Sequence, residues 1–171
     1  MAARLGVALA LLVLVTACGW HLRGAGQGAL EGQRLAVQSE VGEGELLQLT
    51  RQSLRRFGAE VVNADAEAPM LVLLGNNTRR RTIETDDDGR ARAWELTYRL
   101  SFMLRPAATS ASGDERGAPL IRTRTVRASD TYEAAPRNVQ AEQAQRERIR
   151  QELRDEALRL MLSQVASALE S

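Results

Sequence analysis

The segment from Trp94 to Leu104 alternates between apolar and polar side chains almost without interruption. A period of two residues is that of a β-strand, in which successive side chains point to opposite faces of the sheet. We therefore expect one face of this strand to be covered and the other to contact water, which is typical of a two-layered protein with helices on one side only. The covered set consists of Trp94, Leu96, Tyr98, Leu100, Phe102 and Leu104.

This strand has an apolar partner earlier in the chain. Met70–Leu74 is continuously apolar and leads toward Asp88-Gly89, a dipeptide that is a strong signal for a tight turn. The two segments predict one long hairpin. After the low-complexity stretch 106–119, Leu120–Thr131 is rich in Thr and Val and is predicted to be the fourth strand.

The chain between residues 34 and 62 predicts a β-α-β unit. Arg34–Gln38 is a short strand candidate, and Gly44–Phe57 has its leucines on one broad helical face. Gly58 ends that helix, and Ala59–Val62 is a further strand candidate. A helical crossover between two strands of one sheet makes them parallel.

A long C-terminal helix is expected to begin after Asn138, whose side chain can cap it, and to end near Leu169. These elements predict an α+β fold with two helices packed on one face of a four-stranded mixed sheet, in the order β-α-β-β-β-α. Residues 33–171 are expected to form a single α/β sandwich domain. The inner face of the last helix is expected to carry Ile149, Leu153, Ala157, Leu160, Met161, Gln164, Val165 and Ala168.

The N-terminal residues have the features of a cleaved leader. Arg4 precedes the apolar run Leu5–Val15, which is too short to span a bilayer because that requires about 20 apolar residues. Residues 1–17 are therefore predicted to be a signal peptide. The sequence Val-Thr-Ala-Cys at 15–18 resembles the lipobox of bacterial lipoproteins, which predicts a lipidated Cys18 and a flexible tether over residues 18–32. The alternative is a free thiol within a leader.

Several kinds of site are excluded by the composition. The chain has one Cys and one His, whereas a closed structural zinc site needs four ligands. Removal of residues 1–17 takes Arg4 from the 23 basic residues, and the remaining 22 balance the 22 acidic residues. No serine or cysteine has an evident base beside it that would activate a nucleophile. We therefore predict no enzyme, no metal, no cofactor and no nucleic-acid partner.

Arginines surround the expected hairpin tip. Every basic residue in the chain is arginine, and a guanidinium group can bind phosphate in a bidentate manner. Strand pairing would bring five of them together around Asp86–Asp88, which predicts an anion-binding tip suited to a phosphorylated glycolipid or an acidic protein wall. The alternative is a solvated hairpin in which the arginines pair with its own acids and the aspartates shape the turn. The candidate residues are Arg79, Arg80, Arg81, Arg90 and Arg92.

Three segments carry a resemblance to a known family. They are the sequence CGWHLRG that begins at Cys18, the strand sequence LTYRL at 96–100, and Tyr132–Pro136 with the following NVQA at 138–141. In these segments the chain resembles the LptE family of lipopolysaccharide-assembly lipoproteins. The resemblance covers nearly all of the expected mature chain and implies two helices on one face of a four-stranded sheet.

The resemblance also implies a function. A member of this family would be lipid-anchored at the periplasmic face of the outer membrane, without enzymatic activity. It would plug the LptD β-barrel, help to assemble it, and bind lipopolysaccharide on its way to the cell surface, through basic residues near the hairpin tip. The alternative is a generic outer-membrane lipoprotein adaptor that binds another envelope protein through its sheet.

Overall fold

A mixed five-stranded sheet with two helices on one face forms the fold. The structure, a computed structural model, describes residues 28–42, 44–64, 67–108, 117–134 and 138–170. The strand order is β2-β1-β3-β4-β5. The predicted α+β class and the placement of both helices are confirmed. The elements are β1 (Arg34–Ser39), α1 (Glu45–Arg56), β2 (Glu60–Val62), β3 (Met70–Thr85), β4 (Ala91–Arg105), β5 (Ile121–Glu133) and α2 (Val139–Leu169).

The expected count of four strands is wrong, because all five predicted strand segments join one sheet, with β2 and β3 on opposite sides of β1. Arg34 of β1 aligns with Glu60 of β2, and Ala36 aligns with Met70 of β3. Both pairs are parallel, so the chain between β2 and β3 must return to the same end of the sheet and cross β1. The predicted β-α-β unit is confirmed, and its second strand forms the outer edge.

The alternation along β4 is confirmed by burial. Leu96, Tyr98, Leu100, Phe102 and Leu104 are at most 3% exposed, whereas the residues between them are partly exposed. β4 lies between β3 and β5, both antiparallel to it. One face of this strand therefore supplies the centre of the core, and we call the opposite, uncovered side of the sheet the open face.

Charged residues favour the two ends of α1, and a side-chain cap marks the start of α2. Glu45 lies in the first turn of α1, and Arg55 and Arg56 lie in its last turn, where each charge is favourable to the helix dipole. The Asn138 side chain accepts a hydrogen bond of 3.0 Å from the Ala141 N–H at the start of α2. The buried residues of α2 are Ile149, Leu153, Ala157, Leu158, Met161, Leu162, Val165 and Ala166.

The expected position of Leu160 on the inner face of α2 is wrong, because its side chain is 36% exposed. The stripe of buried side chains passes through its neighbours Leu158 and Leu162 instead. No helix in the described ranges combines the length and apolar character needed to cross a bilayer.

The chain enters the domain at a close contact with the end of α1. Leu30 is fully buried, and its N–H donates to the Phe57 carbonyl at 3.0 Å. Gly58 has a φ of +94°, and a Cβ placed there would lie 3.1 Å from Glu31 Cα. A glycine is required at this position both by the backbone conformation and by the lack of space. Residues 28–32, the end of the predicted tether, therefore form a turn against the core; Cys18 and the predicted signal peptide lie outside the described residues.

Candidate anion-binding surfaces

The hairpin tip is built around Asp86. Its carboxylate accepts hydrogen bonds from the Asp88 N–H at 3.1 Å and the Arg90 N–H at 2.7 Å. Its own N–H donates to the Arg90 carbonyl at 2.8 Å, and Gly89 supplies a φ of +76°. The side chain of Asp86 thus shapes the turn, as the turn-forming alternative predicts.

Three of the five candidate arginines make exposed ion pairs beside this turn. The pairs are Arg81 with Glu95 at 3.1 Å, Arg90 with Asp88 at 2.6 Å and Arg92 with Glu84 at 3.8 Å. Each arginine side chain is more than half exposed. Exposed pairs of this kind contribute only about 0–1 kcal/mol, so a more highly charged anion can replace the carboxylate.

Arg80 lies on the helix-covered side of the hairpin. Its guanidinium carbon is 4.0 Å from the centroid of the Trp94 ring, and its Nη1 is 3.5 Å from the Glu142 carboxylate. Glu142 belongs to the first turn of α2. Arg80 therefore joins the hairpin to the helix by a cation–π contact and an ion pair.

Arg79 points to the open face, where two further arginines lie close to it. Arg99 of β4 aligns directly with Arg127 of β5. Arg79 aligns with Thr97, two residues from Arg99 on the same face. Among the described residues, none of these three arginines has an acidic side chain within ion-pair distance. We call Arg79, Arg99 and Arg127 the open-face arginine cluster.

The cluster lines an open depression of about 600 Å³. The Nε atom of Arg99 is buried and has no hydrogen-bond partner within the described part of the chain. Ser101 and Thr125 lie on the next aligned pair and share a hydrogen bond of 2.8 Å between their hydroxyl oxygens. The depression is therefore lined by cationic and neutral hydrogen-bond donors.

The apolar side of the depression continues into a second cluster of the open face. Leu74 lines the depression and packs against this second cluster. Leu74 follows Val72 by two residues along β3 and therefore faces the same side, and the register shift between Leu73 and Gly75 marks a bulge directly after Leu73. The cluster is formed by Ala36, Met70 and Val72, with Val62, Leu74 and Met103 packed against it. Ala36, Met70 and Val72 are at most 5% exposed, so the apolar surface beside the arginines comes from the partly exposed Val62, Leu74 and Met103.

The environment of Tyr98 changes the pKa of its phenol. Its phenol oxygen accepts a hydrogen bond of 2.8 Å from the Asn76 amide. Burial raises the pKa of Tyr98 above 10.0, although the Asn76 hydrogen bond opposes this effect. The phenol is therefore neutral at physiological pH and is part of the packed interior. Within the described ranges, no group of three or more Cys, His, Asp or Glu side chains is placed to hold a metal ion.

Sequence reasoning missed Arg99 and Arg127 as site residues. The alternation along β4 placed Arg99 on the wet face, but nothing local indicated that Arg127 would align with it. That alignment depends on the register of β5, which begins after the long stretch 106–119. Of the predicted candidates, only Arg79 lies beside these two.

A family model and the sequences of individual proteins that match this chain belong to the same family. A model of the LptE family, described as lipopolysaccharide-assembly, matches residues 33–165. A Photorhabdus laumondii protein named LPS-assembly lipoprotein LptE is 32% identical over 159 residues, which are 92% of this chain and 82% of that protein. A protein of the same name from Pectobacterium atrosepticum is 29% identical over 153 residues, 87% of this chain and 77% of that protein.

Two solved structures share the architecture. The rare lipoprotein B of Shewanella oneidensis superposes with a TM-score of 0.67 at 23% identity, covering 81% of this chain and all of that one. The solution structure of lipoprotein B from Nitrosomonas europaea gives a TM-score of 0.69 at 21% identity, covering 90% and 94% of the two chains. These similarities show that the fold is shared.

Proposed function

The chain belongs to the LptE lipopolysaccharide-assembly family, and from this premise we propose that it is an outer-membrane lipoprotein that plugs the LptD β-barrel and helps to assemble it. It binds lipopolysaccharide during transport to the cell surface, at the periplasmic face, without catalysing a reaction. The observation that carries this proposal is the family match over residues 33–165, which spans the whole sheet and most of α2.

The charge distribution of the hairpin supports a role in binding an anionic glycolipid. Arg81, Arg90 and Arg92 are exposed and make only weak pairs. A phosphate group carries more charge than a carboxylate and offers three acceptor oxygens. We therefore propose Arg79, Arg80, Arg81, Arg90 and Arg92 as lipopolysaccharide-binding residues, with Arg80 also holding the hairpin to α2.

The proposal includes a lipid anchor at Cys18. The relatives are named lipoproteins, and the sequence Val-Thr-Ala-Cys places the only cysteine at the position that a lipobox requires. Two or more acyl chains would hold the protein stably in a membrane, because each buried CH₂ contributes about 0.8 kcal/mol. Mass spectrometry of the N-terminal peptide should show a diacylglyceryl-modified Cys18 as the first residue. An unmodified cysteine or a different first residue would disprove the anchor.

The binding role can be tested with a double charge reversal at the tip. Arg90→Glu with Arg92→Glu should weaken lipopolysaccharide binding while the fold and the barrel complex persist, because neither side chain is needed for the core. Its matched control is Arg55→Glu with Arg56→Glu, the same change of charge at the exposed end of α1. The measurements are lipopolysaccharide affinity at two salt concentrations and copurification of LptD.

The outcomes separate the two parts of the proposal. Unchanged lipopolysaccharide affinity in the tip variant would remove Arg90 and Arg92 from the binding mechanism. Loss of LptD from the tip variant alone would place these arginines in the protein interface instead. Copurification of a different envelope protein, with no LptD from the unmodified chain, would favour the adaptor function.

A further inference from the structure

We propose that the open-face arginine cluster is a second anion site, which binds a phosphate group of a phosphorylated lipid headgroup. The inference rests on the proposed function only for the identity of the lipid. Its first support is the direct alignment of Arg99 with Arg127. Like charges that face each other on neighbouring strands destabilise a sheet, and within the described structure no carboxylate relieves this pair. A bound anion would relieve the repulsion between these two guanidinium groups.

The second support is the buried Nε of Arg99. Buried polar groups are nearly always hydrogen-bonded, and a charged donor without an acceptor is costly. This atom has no acceptor among the residues that the structure describes, although Arg99 lines the same depression as Arg127 and Arg79. Arg99 as a residue is partly exposed, so a shift of its guanidinium toward the depression would bring this donor to an oxygen of a bound ligand.

Charge and shape favour phosphate over a single carboxylate. Three guanidinium groups provide three positive charges and paired donors, which match the charge and the three acceptor oxygens of a phosphate. The hydroxyl groups of Ser101 and Thr125 lie beside them as neutral donors. The depression is open to solvent along the sheet, so the rest of a large ligand can extend out of it.

The neighbouring apolar surface indicates that the phosphate belongs to an amphiphile. Leu74 lines the depression and packs with Met103 in the apolar cluster of the open face. A ligand whose phosphate lies at Arg99 can therefore place apolar groups toward Leu74 without leaving this face. Free phosphate would use the arginines alone.

The test compares two double variants of the full-length chain, produced in a Gram-negative host and purified in nonionic detergent. Arg99→Gln with Arg127→Gln removes the facing pair. Arg122→Gln with Arg124→Gln removes the same charge from exposed positions of β5 outside the depression. The probes are lipopolysaccharide, enzymatically dephosphorylated lipopolysaccharide and inorganic phosphate, measured by calorimetry at constant ionic strength.

The expected result is a selective loss. The facing-pair variant should bind lipopolysaccharide about tenfold to a hundredfold more weakly, because each charged hydrogen bond lost costs an affinity factor of that order. The control variant should bind as the unmodified chain does, and dephosphorylated lipopolysaccharide should not distinguish the three proteins. Circular dichroism reports folding, and the exposed single change Arg127→Gln replaces the double variant if that variant does not fold.

Other outcomes overturn the inference in identifiable ways. Equal lipopolysaccharide affinity in the facing-pair variant removes the site and leaves the proposed function intact. If the unmodified chain binds no lipopolysaccharide, the proposed binding role fails; binding of inorganic phosphate through Arg99 and Arg127 would then replace the lipid headgroup by free phosphate. Loss of LptD copurification with unchanged lipopolysaccharide affinity would assign the cluster to acidic groups of the barrel.

Discussion

The two faces of β4 have different roles, although they alternate residue by residue along one strand. On the covered face Leu100 and Phe102 are completely buried beneath the helices. Arg99 and Ser101 are the neighbours of Leu100 along the strand; they lie on the open face and are partly exposed. Because burial of apolar surface is the main favourable contribution to folding, the covered face supplies stability, and the open face is free to carry charge that the fold does not need.

The strongest test of this comparison is a carboxylate on each face at adjacent positions. Leu100→Asp should cost several kcal/mol, since it buries an unpaired charge, against a total stability of about 5–15 kcal/mol. Arg99→Asp should cost much less, because its carboxylate stays beside water and two arginines. Thermal unfolding of the two variants measures the difference. Equal losses would contradict the assignment of the faces.

A smaller effect is expected for the phenol of Tyr98 on the covered face. Tyr98→Phe should cost about 0.5–1.5 kcal/mol at neutral pH, the usual contribution of one hydrogen bond, here from Asn76. Burial raises the pKa of Tyr98 above 10.0, so the unfolded chain ionises this phenol before the folded chain does. The contribution of the neutral Tyr98 phenol to stability is fully present below pH 10 and is lost as the pH rises through the pKa of Tyr98 in the folded state.

Urea unfolding between pH 8 and pH 11 checks the pH dependence of Tyr98. The chain has no lysine, so lysine ionisation does not contribute in this range, and every other ionisable group is common to the two proteins. The unmodified chain should lose more stability above pH 10 than Tyr98→Phe does. Parallel curves for the two proteins would show that ionisation of Tyr98 is not linked to unfolding.

Arg80 and Arg81 are adjacent arginines on opposite faces of β3, so the same substitution can be compared on the two faces. Arg80→Gln should cost about 0.5–1 kcal/mol, because it removes the contact with Trp94 as well as the pair with Glu142. Arg81→Gln should cost less, since the ion pair that it loses, with Glu95, lies at an exposed site. Chemical unfolding in the same buffer gives both values. A larger loss of stability for Arg81→Gln than for Arg80→Gln would contradict the larger stabilising role assigned to the covered face.

The smallest expected effect has the opposite sign. In phosphate-free buffer, Arg127→Gln should raise the free energy of unfolding by a few tenths of a kcal/mol, because it removes the like-charge contact with Arg99. Precise equilibrium unfolding with guanidinium-free denaturant is needed to measure it. A loss comparable to that of Arg80→Gln would mean that the arginine cluster stabilises the fold.

Local patterns in the sequence predicted most of the fold. The alternation from Leu96 to Leu104 identified the buried face of β4, Asn138 marked the start of α2, and Gly58 marked the end of α1. Each of these features depends on neighbouring residues only. The position of Leu160 was predicted wrongly because the buried positions recur every four residues, from Ile149 to Val165. Each such step advances about 40° around a helix of 3.6 residues per turn, so the buried stripe has moved away from Leu160 by the end of α2.

Nonlocal pairing was harder to predict. The short segment Glu60–Val62 became a separate edge strand because its partner is β1, and the sequence does not show on which side of β1 it pairs. The same limit applies to Arg127, whose position opposite Arg99 follows from strand register. The tip arginines were found from proximity in sequence, whereas the open-face cluster exists only after three strands have aligned.

The burial of Leu30 at the end of α1 fixes the point at which the chain enters the domain. β1 and β3 both begin at this end of the sheet, and β3 continues for 16 residues to the turn at Asp86. At about 3.4 Å per residue, the chain's point of entry and the hairpin tip are separated by about 50 Å. The distance between the chain's entry into the domain and the hairpin tip is therefore set by the length of these strands. Deleting two residues from each arm of the hairpin would shorten that reach by about 7 Å and keep every side chain on its own face.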